Sequence, residues 1–181
     1  MAAVSLSLDV SFALLELLDS GIRSGAVRHN FAGPQAPLRR KLPTGTGAGY
    51  INVAWMRSTP TAIAASGNQD FDLTSALTDS FGTTLGAATK LVALLVVNLS
   101  TTGSITLRAA SATTVPLFVA TGTQPGIIIP AAVSTDDPSF VLIYAPSAYT
   151  MANGATDLIN ILNNDGGAGA SYRIGFAGRT A

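Results

Sequence analysis

The residues that could do chemistry in this chain are few, and their spacing does not suit them to it. There is one histidine, His29, no cysteine, and a single glutamate, Glu16. A hydrolytic triad would need His29 as its base. It lies in a stretch crowded with Pro and Arg, where nothing holds an imidazole within hydrogen-bond reach of a nucleophile. The same scarcity cannot supply the three or four ligands of a zinc centre. Asp70-Phe71-Asp72 places two carboxylates on one face of an extended segment, and Asp136-Asp137 precedes Pro138. Neither continues into the alternating Asp/Asn series and distal Glu of a calcium loop, so Asp72 reads as a cap and Asp136-Asp137 as a turn. A glycosidase pair would have to rely on aspartates, and nothing recommends one. The glycine-rich Thr44–Gly49 segment runs into Tyr50 and Ile51. A phosphate-binding loop needs Lys-Ser/Thr there, between a strand and a helix, so this stretch reads as a flexible loop. No cofactor, no metal and no catalytic centre is expected.

Charge is the more informative property. Only 11% of the residues are charged, ten basic and ten acidic, against about a quarter in an ordinary soluble domain. Six of the ten basic groups fall between residues 20 and 60: Arg23, Arg28, Arg39, Arg40, Lys41 and Arg57. That window holds no Asp or Glu. Arg23, Arg28, Arg39, Arg40 and Lys41 are therefore the candidate partner-binding residues. Zero net charge argues against a general binder of nucleic acid or membrane surfaces. Phe31, Tyr50 and Trp55 lie near the basic cluster but are not interleaved with it as base-stacking aromatics would be. Contact with an acidic protein surface explains the cluster and suits the uncharged remainder better. The longest apolar run, Leu91–Val97, is too short to span a bilayer, and the amino terminus lacks the basic residues of a secretory signal. A soluble, non-secreted protein, or one released by lysis, is expected.

Positioning elements follow from periodicity. Apolar residues occupy every even position from Val4 to Phe12, the period-two pattern of a half-buried strand. Ala13–Leu18 breaks it and is ambiguous between strand and a helical turn closed by Gly21. Residues 20–49, with Pro34, Pro37 and Pro43, read as an irregular arm. From Tyr50 onward, short β-branched segments alternate with turn residues. Candidate strands are 50–55, 61–65, 90–98, 104–109, 115–120, 126–129, 139–144, 149–152, 156–162 and 170–177. Turns are expected at Ser66-Gly67-Asn68, Thr102-Gly103, Asn153-Gly154 and 163–167. Leu73–Phe81 could be one short helix capped by Asp72 and ended by Gly82. Lys90–Asn98 carries seven successive apolar residues, the pattern of a central strand covered on both faces. The spacing predicts an all-β sandwich, jelly roll or small barrel over residues 50–181, preceded by an N-terminal strand and extended basic arm over 1–49.

Two stretches resemble structural proteins of tailed bacteriophages. One is Phe71-Asp-Leu-Thr-Ser-Ala-Leu-Thr-Asp-Ser-Phe-Gly82 followed by the apolar run from Lys90. The other is Met151–Asn164, a glycine turn, and Ser171-Tyr-Arg-Ile-Gly-Phe-Ala-Gly178, which is similar to that family's closing hairpin. The matches cover about residues 45–181 and are scaffold motifs rather than catalytic ones. The family's Pro-Gly-Gly turn is replaced here by Asp137-Pro138-Ser139, which leaves a tail or fibre location open. The resemblance implies a jelly-roll capsid decoration (cement) protein. It would be made in the host cytoplasm, sit on the outside of the virion, and bind the major capsid protein as a homo-oligomer, dimer or trimer. The alternative is a tail-associated or receptor-binding module whose loops hold a host glycan, and beyond it an enzyme such as a depolymerase. Clustered acids with aromatics would favour those two, and a single tryptophan, Trp55, speaks against a sugar platform.

Overall fold

Branched and aromatic side chains fit a pleated, half-buried surface, and here they produce strands throughout. The computed structural model describes residues 6–10, 13–19, 24–30, 38–42, 45–48, 50–57, 59–75, 87–110, 117, 126–152, 154 and 157–180. Among the described residues there are thirteen strands and no helix. They are β1 (Leu6–Val10), β2 (Ala13–Asp19), β3 (Ser24–Asn30), β4 (Leu38–Leu42), β5 (Val53–Met56), β6 (Thr61–Ile63) and β7 (Asn68–Asp72). Then come β8 (Lys90–Asn98), β9 (Ile105–Ala109), β10 (Gly126–Ile129), β11 (Ser139–Thr150), β12 (Leu158–Asn163) and β13 (Ala170–Arg179).

The N-terminal region is more regular than its composition suggests. β1 pairs with β4 and β2 with β3, both antiparallel. The irregular arm expected over 20–49 thus contains two paired strands, and the ambiguous Ala13–Leu18 is strand, not helical turn. Pro34, Pro37 and Pro43 lie outside the described residues.

The remaining strands form two antiparallel sheets packed as a β-sandwich. One has the order β10-β9-β12-β7, the other β11-β8-β13-β5, with β6 also pairing β13. The pairs nest about the β9–β10 connection: β9 with β10, β8 with β11, β7 with β12, and β5 and β6 with β13. It is one long antiparallel ribbon folded over on itself. β12 and β13, which the resemblance implied were a closing hairpin, do not pair. β12 joins β9 and β7 in one sheet, while β13 joins β8, β5 and β6 in the other. The chain between them crosses from sheet to sheet.

The core lies between the sheets. Leu94, Val96, Ile174 and Tyr172 from one meet Ile105, Leu107, Ile159, Ile161 and Phe71 from the other. Trp55 packs its ring 6.4 Å from Phe71 and 6.1 Å from Phe176, and Phe71 meets Tyr172 edge-on at 6.0 Å, within the favourable range for aromatic pairs. β8 is central, between β11 and β13, but it is not fully covered on both faces: Leu95 and Val97 are only half-buried. The unbroken burial of Leu91–Leu94 has a different cause. Both neighbouring ladders shift register at Val92, so that Ala93 and Leu91 are partnered while Val92 is passed over. Such a bulge flips the pleat. Leu91 therefore joins Leu94 in the core, while Val92 and Ala93 form a second cluster with Ile51 and Ala177. Gly178 lies at this bulge, and a Cβ there would collide with the Lys90 carbonyl oxygen.

Candidate interaction surface

Arg39, Arg40 and Lys41 lie together in β4, in Cα register with Asp9, Leu8 and Ser7 of β1. An intrachain acid therefore stands opposite Arg39. Arg28 lies in the other ribbon, on β3 opposite Leu15, with His29 opposite Leu14. Arg23 lies outside the described residues. The fold gathers three of the five candidates on one strand and puts Arg28 on another ribbon.

The chemically suggestive motifs resolve into structural duties. The glycine-rich segment folds back on Tyr50: the Tyr50 N–H donates to the Gly47 carbonyl at 3.1 Å, and the Gly45 N–H donates to the Ile51 carbonyl at 2.9 Å. Asp72 Oδ1 accepts from the N–H groups of Thr74 at 2.8 Å and Ser75 at 2.9 Å, so it caps a turn. The helix expected over 73–81 falls mostly on residues outside the described ones. Leu73–Ser75 bend, and residues 76–86 lie outside the described residues. Asp136 and Asp137 sit in an exposed turn closed by a Ser134–Asp137 bridge. Among the described residues no three His, Cys, Asp or Glu side chains converge as a metal site would require. Trp55 is buried in the core, so it is not available to stack on a base or a sugar.

Two asparagines that the sequence marked only as a strand end, Asn98, and the start of a turn, Asn163, do much to hold the loops. Asn98 is buried, and its Nδ2 donates to the carbonyls of Pro130 at 2.7 Å and Gly103 at 3.0 Å. Its Oδ1 accepts from the Ser100 N–H at 3.0 Å. Asn163, also buried, donates to the carbonyls of Ala168 at 2.8 Å and Ala64 at 3.0 Å, and accepts from the Asp165 N–H. Each ties together connections that cross between the sheets. Their signal in the sequence was a turn-forming residue following an apolar run, which says nothing about burial.

The two outer faces differ sharply. The four-stranded sheet carries a polar row in which Arg108 Nε donates to Asn160 Oδ1 at 2.7 Å and Asn160 Nδ2 donates to Asp70 Oδ1 at 2.6 Å. Arg108, Asn160 and Asp70 are directly opposed across β9, β12 and β7. On the outer face of the five-stranded sheet the opposed rows are apolar: Phe140 with Val97, Leu142 with Leu95 and Gly175, and Tyr144 with Ala93 and Ala177. Only Arg173, opposite Val97, brings charge to those rows.

Exposed apolar residues concentrate on one side of the sandwich. Among the described strands β10 and β11 are the edges there, and the chain through them carries Val133, 83% exposed, Ile128, 67%, Phe140, 65%, and Ile127, 37%. They are four of the five large hydrophobic residues that are exposed among those described, the fifth being Tyr50. An apolar concentration of this kind makes this side the candidate interaction surface. The sequence reading missed it because an apolar strand looks the same whether or not a partner covers it.

No protein-family model matches this chain, and no curated protein matches it. The fold defines an antiparallel β-sandwich with two N-terminal β-ribbons. No helix among the described residues is long and apolar enough to cross a membrane.

Proposed function

We propose that this protein is a non-enzymatic virion component, a decoration protein that binds the outside of a phage capsid lattice and stabilises it. The observation that carries the reading is the surface just described. A charge-poor sandwich presents exposed Val133, Phe140 and Ile128 along one side, and a basic strand, β4, accompanies it. Apolar patches and a basic strand suit contact with protein better than turnover of a small molecule. The nested pairing supports a jelly-roll assignment, since eight strands rolled as a folded antiparallel ribbon yield that order when β5 and β6 count as one. The likeness to phage structural proteins over residues 45–181 points the same way.

In mechanical terms, a protein that binds the assembled shell and not its free subunits stabilises the shell by mass action. A ribbon and a sandwich that each touch the lattice make the second contact effectively intramolecular. The test is co-sedimentation with purified capsids that lack tails. Saturable binding, with shells surviving to higher temperature, is the expected result. Binding to isolated tails and not to heads would overturn the capsid assignment in favour of the tail-associated reading.

A further inference from the structure

We propose that the free edge of β11 pairs with the same edge of a second copy of this chain, antiparallel, about a twofold axis. Among the described residues β11 is hydrogen-bonded on one side only, to β8. Among the described residues no strand pairs with its other side. Natural edge strands are normally protected by charge, Pro or a bulge. β11 has Pro146 and a register shift after Tyr144, but both lie in its second half. The first half, Ser139-Phe-Val-Leu-Ile-Tyr144, contains neither a charge nor a proline. Among the described residues it is an open strand edge, with Phe140 standing 65% exposed beside it.

Two properties of the strand select a second copy as the occupant. An antiparallel ladder is itself twofold symmetric, so the edge of a strand is complementary to itself run backwards; no other sequence is needed. A twofold axis also places like residues near like, which penalises charged strands. β11 carries no charge at all. The outer apolar rows headed by Phe140, Leu142 and Tyr144 would then run on across the joint.

This inference does not depend on the capsid reading and is tested without capsids. The full chain is examined by sedimentation equilibrium across a wide concentration range, with Phe140→Asp alongside. Phe140 is exposed, so the variant should fold with an unchanged circular dichroism spectrum. A reversible wild-type dimer whose dissociation constant rises at least about tenfold in Phe140→Asp is the expected result. The chain has no cysteine, so single-cysteine variants report contacts unambiguously. At least one of Phe140→Cys and Leu142→Cys should give a disulfide-linked dimer on mild oxidation, and Ile128→Cys should not. A wild-type chain that stays monomeric throughout would overturn the proposal. So would a dimer indifferent to Phe140→Asp, or crosslinking through Ile128→Cys alone.

Discussion

Tyr172 Oη donates to Gln69 Oε1 at 2.8 Å, and that bond joins the two sheets of the sandwich. Tyr172 belongs to β13 and is completely buried, whereas Gln69 belongs to β7. Burial raises the pKa of the Tyr172 hydroxyl well above the ordinary tyrosine value, while the nearby Arg57 charge and a hydrogen bond with Thr61 pull it down. Tyr172→Phe keeps the ring and leaves Gln69 without its donor, which should cost about 1–2 kcal/mol at neutral pH. The sign with pH follows from linkage. An unfolded tyrosine loses its proton near pH ~10 while the folded one keeps it, so stability is fully present below that pH and falls as the pH rises above it. Denaturant titrations from pH 8 to 11 should show this alkaline loss in the wild type and a shallower one in Tyr172→Phe. Equal slopes would remove Tyr172 as the cause.

Asn98 should matter more to stability than any exposed polar residue nearby. Asn98→Ala strands the carbonyls of Pro130 and Gly103 without their donor, at a cost of at least about 2 kcal/mol. Asn98→Asp should be worse, because a carboxylate then faces carbonyl oxygens. Chemical denaturation of both variants checks the order.

Along β8, neighbouring apolar positions should respond unequally. Leu94 is fully buried, so Leu94→Ala should cost about 3–5 kcal/mol. Leu94→Asp should abolish soluble expression. Half-buried Val97 should tolerate alanine for about 1 kcal/mol or less. Similar losses at Leu94 and Val97 would mean that both faces of β8 are core.

At the β8–β13 bulge, Gly178→Ala introduces a Cβ against the Lys90 carbonyl oxygen. We expect a loss of about 1–3 kcal/mol from overpacking. A thermal melt of the variant is sufficient to measure it.

The basic strand is tested by Arg39→Ala/Arg40→Ala/Lys41→Ala in capsid binding. Weaker binding at low salt that converges with the wild type at high salt is expected, since the Debye length falls from about 10 Å at 0.1 M to about 3 Å at 1 M. His29→Ala should bind as the wild type does. Unchanged binding of the triple variant at both salts would remove β4 from the interface.

Local pattern alone determined much of the fold. Lys90–Asn98 and Gly126–Ile129 are strands with the bounds their sequences indicated, because a β-branched run between turn residues needs no distant information to become extended. The strand content of the sandwich followed in the same way, and Asp72 caps a turn as its position suggested. Pairing was decided elsewhere. β4 carries Arg-Arg-Lys and shows no alternation; it is a strand because β1, about thirty residues earlier, offers it a ladder. β7 was hidden between an expected turn and an expected helix, and β12 gives it its place. β12 and β13 are close in the chain, yet each satisfies its hydrogen bonds in a different sheet. The candidate interaction surface was illegible for a related reason. The sequence can specify that Phe140, Leu142 and Val133 are apolar, but exposure depends on which strands lie beside them. That is settled only when β10 and β11 become sheet edges, because burial belongs to the packed assembly and not to the residue.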